Sequence, residues 1–474
     1  MTADQAPAEH LHPVALLSGL GAAARNLFGG IAAGGYFAFK GQTFVAFVML
    51  GGIVAVTLAA VLLHWWRFSF RVGEDAIRID SGILHRNHRT IPFDRVQDVS
   101  IAQPLLQRLL GVARVTLETG SSTAGKEEGV LEAVSLARAE ALRALVRARR
   151  SGGAVPSAVA EGEAEAEPAP LFAMDVRRVV TLGFLSFSLA LFAALFGASQ
   201  TLGNVLDVDP FSRRFWRPIL SDGGLGTWVL SHRFGVATWG LLVLVLVGIA
   251  TGVVRTLPRE WGFTLTRSGR ALRRRRGLLT RTDVSLPLRR IQAGVIATGP
   301  IRQRLGYYRF AVESLASDTS EGKDARDHVL APLATWDELA PVAGELGWSL
   351  PSEATAWQRV DRAHVTLFCL ALLPVFPLLL VLGPLRWLEW RGTAFVREGD
   401  RLLIRTGWWR RRTVIIPLAN IQSIDLTENG LSRRFGIASL LIDVAGSGSG
   451  GHRLPSLPRK EASLLQAELL SSQR

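Results

Sequence analysis

Cysteine and lysine are scarce in this sequence. One Cys among 474 residues excludes a disulfide framework and a zinc site built from cysteines, because both need at least two thiols. Only four of the 54 basic residues are Lys, so nearly all cations are Arg. Acidic residues number 40, and the net charge of +14 favours an anionic partner, either nucleic acid or a lipid surface.

Charged residues are missing from four long apolar segments, each close to the ~20 residues that a helix needs to cross a bilayer. A transporter or proton path normally places an ionisable group inside its spans, so this absence argues against both. A weaker segment, residues 27–39, is either the first half of a hairpin with the first of these segments or an interfacial helix. The sequence therefore predicts four to six spans. The four segments are Thr43–Leu63, Val179–Gly203, Val236–Val254 and Val365–Leu385.

Arginines flank these segments and predict their orientation. The flanks at Arg67, at Arg177 and at Arg255 are expected in the cytoplasm, and the loop at about 204–233 outside. The last apolar segment is short and is broken by Pro374 and Pro377. It either crosses once, which places the chain after it outside, or turns back at the prolines. The internal repeats of the chain favour the turn.

Three stretches of the chain align without a gap. In each copy a Pro lies ten positions after a Gly, and a second Gly lies nineteen positions after that Pro. A spacing kept three times indicates three copies of one structural unit. The Gly, Pro and Gly of the copies are Gly82, Pro92 and Gly111; Gly277, Pro287 and Gly306; and Gly407, Pro417 and Gly436.

Each copy has the pattern of strands followed by a helix. Residues 76–80 and 114–118 alternate apolar and polar side chains, which predicts half-buried strands. Between them, residues 105–110 form a short amphipathic turn ended by Gly111, a typical left-handed stop. Polar loops follow at 120–125 and 446–451, then amphipathic helices at 137–149, 336–346 and 460–470. An antiparallel sheet curled on itself and closed by a helix buries these faces most simply.

The motifs Gly82-Ile-Leu, Ile91-Pro-x-x-Arg-Val-Gln97 and Gln107-Arg-Leu-Leu-Gly111, which follow a membrane hairpin and a Trp-Trp-Arg exit, resemble the bacterial pleckstrin-homology (PH) family. That family was once called a domain of unknown function. The resemblance extends from about residue 12 to the end of the chain. It implies α-helical membrane segments plus three PH-like barrel or sandwich domains, each capped by a C-terminal helix, and no catalysis.

The predicted domain organisation alternates membrane inserts with PH-like domains. The boundaries are a tail and membrane hairpin at 1–66, PH-like domain 1 at 67–150, a disordered linker at 151–170, a second hairpin with an external loop at 171–256, a basic PH-like domain 2 at 257–350, a short third insert at 351–390, and PH-like domain 3 at 391–474.

Most of the net charge lies in one stretch. Residues 255–311 contain 14 Arg against two acidic residues, and each cation near an anionic leaflet gains roughly 1 kcal/mol. Because a guanidinium suits bidentate phosphate contact, the candidate lipid-binding residues are the densest Arg clusters of copies two and three and their counterparts in the first. The alternative is that these arginines serve orientation and solubility. The candidates are Arg273, Arg274, Arg275, Arg276, Arg410, Arg411, Arg412, Arg86 and Arg89.

Other chemistry finds little support in the sequence. His85 and His88 point to opposite faces of a strand, which argues against a shared metal, and no nucleophile elbow is present. No cofactor, catalytic residue or nucleic-acid partner is expected. The predicted function is a non-catalytic, multi-pass scaffold of the bacterial inner membrane that binds anionic lipid at the cytoplasmic face. The alternative is an adaptor that binds a protein at its sheet edges or grooves.

Overall fold

The computed structural model describes residues 7–16, 37, 40–82, 86–119, 129–150, 169–187, 197, 231–314, 327–445 and 451–471. Three helical stretches in these ranges are long and apolar enough to cross a membrane: Thr43–Arg67, Thr238–Glu260 and Ala363–Gly392. Most of the predicted segment at 27–39, most of Val179–Gly203, the loop at 204–230, the linker at 151–168 and His85 lie outside the described residues.

Unit 1 consists of a four-stranded and a three-stranded antiparallel layer. The first layer contains β1 (Glu9–His10), β2 (Ser69–Val72), β3 (Ala76–Ser81) and β4 (Asn87–Pro92). The second contains β5 (Val96–Pro104), β6 (Val112–Thr119) and β7 (Gly129–Ser135). Its helices are α1 (Thr43–Arg67), α2 (Leu105–Leu109) and α3 (Leu136–Arg150).

Unit 2 repeats this order. Its first strands are β8 (Phe172–Ala173), β9 (Thr264–Ser268), β10 (Ala271–Arg276) and β11 (Thr280–Pro287). The others are β12 (Ile291–Thr298), β13 (Tyr308–Ser314) and β14 (Asp327–Ala334). Its helices are α4 (Val176–Phe184), α5 (Arg233–Glu260), α6 (Pro300–Arg304) and α7 (Trp336–Gly344).

Unit 3 has the same plan with a shorter insert. Its strands are β15 (Gln358–Arg359), β16 (Ala394–Glu398), β17 (Arg401–Thr406), β18 (Arg411–Pro417), β19 (Ile421–Thr427), β20 (Ile437–Val444) and β21 (His452–Pro458). Its helices are α8 (Ala363–Leu372), α9 (Phe376–Gly392), α10 (Gly430–Arg434) and α11 (Arg459–Ser471).

Three apolar cores correspond to the three units, and the helix after the third strand of the second layer contributes to each. Ala139, Leu142 and Val146 of α3 are buried in the core of unit 1. Leu339 and Val342 of α7 lie in the core of unit 2. In unit 3 the buried residues of α11 are Ala462 and Leu469. The predicted stop of the short helix is also present, since Gly111, Gly306 and Gly436 have φ values of 68°, 72° and 64°, which favour Gly.

A two-residue strand precedes the membrane insert of every unit and pairs with the first strand after it. Glu9 faces Phe70, Phe172 faces Leu265, and Gln358 faces Phe395. These short strands lie before the boundaries predicted at 67, 257 and 391. Because the two strands are neighbours in one sheet, each insert leaves a unit and returns to the same unit.

The third insert shows this return most clearly. A straight helix over Ala363–Gly392 would extend about 45 Å at 1.5 Å per residue. The strands on either side of the insert are hydrogen-bonded neighbours at Gln358 and Phe395, and opposed Cα atoms lie about 5 Å apart. The chain therefore folds back, at the 3₁₀ turn Leu373–Val375 that contains Pro374. Of the two alternatives from the sequence, the structure has the fold-back.

Neighbouring units share sheets. The strand orders β7-β6-β5-β11-β10-β9-β8 and β14-β13-β12-β18-β17-β16-β15 each join the second layer of one unit to the first layer of the next. At the first junction Ile101 faces Asp283, and at the second Ile296 faces Thr413. By the repeat spacing, Ile296 is the counterpart of Ile101, and Thr413 is the counterpart of Asp283. Both junctions thus have the same antiparallel register.

Candidate functional site

The four consecutive arginines of β10 alternate between the two faces of the strand. Arg274 is fully buried and donates from Nη1 to the carbonyl oxygen of Val329 at 3.1 Å. Arg276 is 4 % exposed and donates from Nη1 to Oε1 of Glu260 at 2.8 Å. Both guanidinium groups are enclosed within the fold, so the predicted contact of Arg274 and Arg276 with a lipid surface is wrong.

The other two arginines of β10 serve the junction between units 1 and 2. Arg273 donates to Asp283 at 2.5 Å from Nη2, and Arg275 donates from Nε at 3.1 Å. From unit 1, Arg143 reaches the same carboxylate at 3.4 Å. Burial alone would raise the pKa of Asp283, but the hydrogen bond from Arg273 and the charges of Arg143, Arg273 and Arg275 outweigh it, and the pKa falls to about 2.

Two of the three arginines predicted in unit 3 lie at the second junction. Arg412 donates from Nη2 to Oε1 of Glu313, in unit 2, at 2.9 Å. The other carboxylate oxygen of Glu313 lies 2.8 Å from Nε2 of His452. Arg411 faces Thr298 of β12 across the shared sheet. These two arginines therefore connect units, whereas Arg410 lies in the turn before β18 and belongs to a different site.

In unit 1 the predicted arginines lie at the outer end of β4. Arg86 and Arg89 are both exposed. Their neighbour His88 is 2.7 Å, Nδ1 to Oδ1, from Asp80 of β3. Arg89 therefore lies on β4, the terminal strand of its sheet within the described residues, and Arg86 lies immediately before that strand.

A cavity of about 790 Å³ lies at the base of the second membrane insert. One wall is the end of α4 with Ser186 and Phe187, a second is the last two turns of α5, and a third is α6 with the strand that follows it. The fourth wall comes from unit 3, where Trp409 and Arg410 enter from the turn before β18. We call this space the basic cavity, because its ionisable lining residues are Arg255, Arg259, Arg302, Arg309, Arg410 and Glu260.

The basic cavity has a large excess of positive charge. The one acid among the described residues that line it, Glu260, already accepts the hydrogen bond from Arg276 at 2.8 Å and lies 3.4 Å from Arg259. Burial lowers the pKa of Arg302, and the like charges of Arg309 and Arg410 lower it further. Guanidinium groups that repel one another in a half-enclosed space are stabilised by an anion placed between them.

A second cavity, of about 600 Å³, occupies the equivalent place at the base of the third insert. Its charged lining residues are balanced, with Arg386 and Arg453 against Glu389 and Glu428. Arg386 donates to Glu389 at 2.6 Å. The shape thus recurs in two units, but of these two cavities only the one in unit 2 has a charge excess that suits an anion.

Exposed apolar residues recur at equivalent positions around the three short helices α2, α6 and α10. Next to α6, the base of the α4 and α5 insert lines the basic cavity, and α10 with α8 of the third insert lines the second cavity. The short helices α6 and α10 therefore lie beside the membrane inserts of their units. The apolar edge, as we call this set, consists of Leu106, Ile301 and Leu431 in one row and of Leu110, Leu305 and Phe435 in the other.

The basic stretch singled out in the sequence contains most of the arginines that line the basic cavity, but the predicted lipid-binding residues are mostly others. Arg255, Arg259, Arg302 and Arg309 belong to the basic stretch at 255–311, yet only Arg410 of the basic cavity was among the predicted lipid-binding residues. The cavity is lined by an insert, a short helix and a turn of the next unit. Its arginines are therefore scattered singly over these elements in the sequence, and no run of consecutive arginines marks the site.

Three repeated units that share sheets and each carry an apolar insert define a membrane protein built from tandem β-rich domains. The profile of the bacterial PH domain matches residues 16–150, 219–347 and 341–473, so the chain belongs to the bacterial PH domain family. It is also similar to the UPF0699 transmembrane protein YdbT of Bacillus subtilis (strain 168), with 23% identity over 422 residues that cover 82% of each chain. The resemblance seen in the motifs is thereby confirmed.

Proposed function

We propose that the protein is a non-catalytic, membrane-anchored scaffold whose basic cavity binds the phosphate of an anionic phospholipid at the cytoplasmic face of the bacterial inner membrane. The observation that carries the proposal is the basic cavity itself. Five arginines and one already paired glutamate line it, at the base of a membrane insert.

The chemistry of the lining favours a phosphate ester. Guanidinium groups present a planar pair of donors that matches two phosphate oxygens, and such charge-assisted hydrogen bonds are about twice as strong as neutral ones. Phe187 and Leu185 line the same cavity and offer an apolar surface to the glycerol and acyl part of a lipid. A soluble anion would use only the arginines, whereas a lipid would use both.

The position of the cavity supports a ligand from the bilayer. The apolar edge exposes Ile301 and Leu305 directly beside it, and such side chains reside favourably at the boundary between head groups and acyl chains. Since every insert returns to its own unit, we place all three units on one side of the membrane. The arginines at the ends of the inserts favour the cytoplasmic side for that face.

In this proposal each unit is a PH-like sandwich closed by α3, α7 or α11, with the inserts as extensions of its first layer. The buried residues of these helices in the three cores support the closure. The domain limits predicted from the sequence at 67–150, 257–350 and 391–474 are kept, with the short strands β1, β8 and β15 added to the respective units.

Removal of charge from the basic cavity is the direct test. In the full chain, the combined substitutions Arg302→Gln, Arg309→Gln and Arg410→Gln are expected to weaken binding of phosphatidylglycerol by about 100-fold or more, because each charge-assisted hydrogen bond contributes roughly 1.5–3 kcal/mol. The measurement is native mass spectrometry of the protein released from nanodiscs of phosphatidylcholine with increasing fractions of phosphatidylglycerol.

A matched control removes three charges elsewhere, with Arg270→Gln, Arg304→Gln and Arg434→Gln, at exposed residues that do not line the cavity. It is expected to keep retained phosphatidylglycerol within a few-fold of the parent. If both triple variants lost the same amount of bound phosphatidylglycerol, the attraction would be a general electrostatic one, and a specific site would be contradicted. Retention by the cavity variant would contradict the proposal outright.

A further inference from the structure

Two strands stand at the ends of the run of shared sheets. Within the described residues, β4 is the terminal strand of its sheet in unit 1, and β19 is the terminal strand of its sheet in unit 3. Their counterparts, β11 and β18 on one side and β5 and β12 on the other, are the strands that pair between units. Strands β4 and β19 are therefore the two complementary strands of a junction that the protein already forms twice between its own units.

The exposure of residues on β4 and β19 agrees with the position of these strands at the two ends of the shared sheets. Val295 of β12 lies at the second junction and is 4 % exposed, whereas its counterpart in β19, Asp425, is exposed. In β4, the residues from Asn87 to Thr90 are all exposed. A terminal strand with an accessible backbone is a template for a further strand.

We propose that these two edges join copies of the protein, so that β19 of one copy pairs with β4 of a second copy in an antiparallel sheet. The occupant is a second copy of this chain because the complementary edge is present in the chain itself. The register follows from the two internal junctions. Applying the repeat spacing to the pair Ile296 and Thr413 places Leu426 of one copy opposite His88 of the next.

The charges along the two strands fit this register. Asp425 is then opposite Arg89. Directly opposed residues of antiparallel strands have Cβ atoms about 5 Å apart, and opposite charges there are favourable. At the second internal junction the residue pair at this position is Val295 with Val414, so the opposed charges are a property of the terminal edges. The next acid along the chain, Glu428, is bound within its own unit by Arg459 at 3.1 Å and is not part of the contact.

The two edges differ from each other, so the contact is heterologous. Such contacts give a ring if the rotation between copies closes and an open chain if it does not. Each added copy repeats the relation that already holds between units 1 and 2 and between units 2 and 3. The membrane inserts of the added copy are therefore placed next to those of the first copy, in the same orientation, so both sets can enter one bilayer.

Disulfide trapping tests the pairing in the full-length protein. In a Cys369→Ser background, Asn87→Cys and Thr427→Cys are combined in one chain. The proposed register makes these residues directly opposed, at a Cα separation of about 5 Å that a disulfide bridges. Oxidation with copper phenanthroline in native membranes is expected to give a ladder of dimers, trimers and larger species. A mixture of the two single-cysteine variants is expected to stop at dimers.

The matched control replaces Thr427→Cys by Ser423→Cys, which is exposed on the same strand but four residues, or about 13 Å, out of register. It is expected to give at least about tenfold less crosslinked product. A double-cysteine variant that shows no ladder above this control, while its thermal unfolding midpoint in reduced form matches the parent, overturns the proposal. An intramolecular disulfide alone would also overturn it.

A charge exchange gives an independent test without cysteines. Asp425→Arg and Arg89→Asp, each alone, are expected to weaken self-association in detergent by about tenfold, as for an opposed charge pair at an interface. The two substitutions together are expected to restore it. A monomer in all four proteins, by light scattering on a size-exclusion column, would overturn the proposal and leave the charges the role of keeping the edges apart.

Discussion

Replacement of Asp283 by Asn is expected to loosen the junction between units 1 and 2 by about 2 kcal/mol. The carboxylate is bound by Arg273 and Arg275 of its own unit and by Arg143 of unit 1, and its pKa is lowered from 3.8 to about 2. A shift of that size corresponds to about 2 kcal/mol of stabilisation. Asn has the same shape but leaves three guanidinium groups without the anion.

Hydrogen exchange measures this effect where it occurs. Amides of β5 and β11 are expected to exchange roughly 30-fold faster in the Asp283→Asn protein, which is the rate equivalent of about 2 kcal/mol. The control is Asp400→Asn, since the Asp400 side chain is 89% exposed and its loss is expected to change local stability by less than about 0.5 kcal/mol. Unchanged exchange at β5 and β11 would contradict a stabilising role for Asp283.

The contribution of Asp283 also has a defined pH dependence. Its folded-state pKa of about 2 lies below the ordinary value of 3.8, so the stabilisation is complete above about pH 4 and is lost as the pH falls toward 2. Wild type and Asp283→Asn are therefore expected to differ at neutral pH and to converge near pH 2. A constant difference across this range would show that the carboxylate does not act through its charge.

Substitution of Gly252 by Ala is expected to destabilise the second membrane insert by about 2 kcal/mol. A Cβ atom at this position would lie 2.6 Å from the carbonyl oxygens of both Gly183 and Ser186. Backbone atoms cannot move aside as a flexible side chain can, so α4 and α5 must separate, and overpacking of this kind costs about 1–3 kcal/mol. Because Gly252 and Ser186 also line the basic cavity, retained phosphatidylglycerol should fall too.

Gly240 provides the matched control on the same helix. A Cβ at Gly240 meets no heavy atom within 4 Å, and Gly240→Ala is expected to leave stability unchanged or to raise it slightly. The two variants are compared by the thermal unfolding midpoint of the purified protein in detergent, followed by tryptophan fluorescence. Equal midpoints for Gly252→Ala and Gly240→Ala would refute close packing of α4 against α5.

The repeated elements of the fold could be predicted from the sequence because their signals are local. The alternation at 76–80 corresponds to β3, Ala76–Ser81, and the predicted helices at 137–149 and 460–470 are α3 and α11 within one residue at each end. The strands β1, β8 and β15 were missed because two residues carry no periodicity. Glu9 pairs with Phe70 across a whole membrane insert, a contact that only the tertiary fold defines.

The candidate site could be predicted only in part, for a related reason. Arg274 looks like a surface charge in a run of four, but strand alternation turns it into the core, where it donates to the carbonyl oxygen of Val329. The acids that bind its neighbours, Asp283 and Glu260, lie on other elements. Likewise, Arg410 joins Arg302 in one cavity only because units 2 and 3 share a sheet.

Sidedness labelling tests whether the three units lie on one side of the membrane. In a Cys369→Ser background, single cysteines replace Asp75, Arg270 and Asp400. These are equivalent turn residues, since their carbonyl oxygens accept hydrogen bonds from Phe93, Leu288 and Leu418. The side chains of Asp75 and Asp400 are 97% and 89% exposed, and Arg270 is exposed as well.

A membrane-impermeant maleimide is applied to intact spheroplasts and to permeabilised ones. All three cysteines are expected to give the same result, with protection in intact spheroplasts and labelling after permeabilisation. Labelling of the cysteine at position 400 in intact spheroplasts, with positions 75 and 270 protected, would place unit 3 on the opposite side and rule out a common side for the three units.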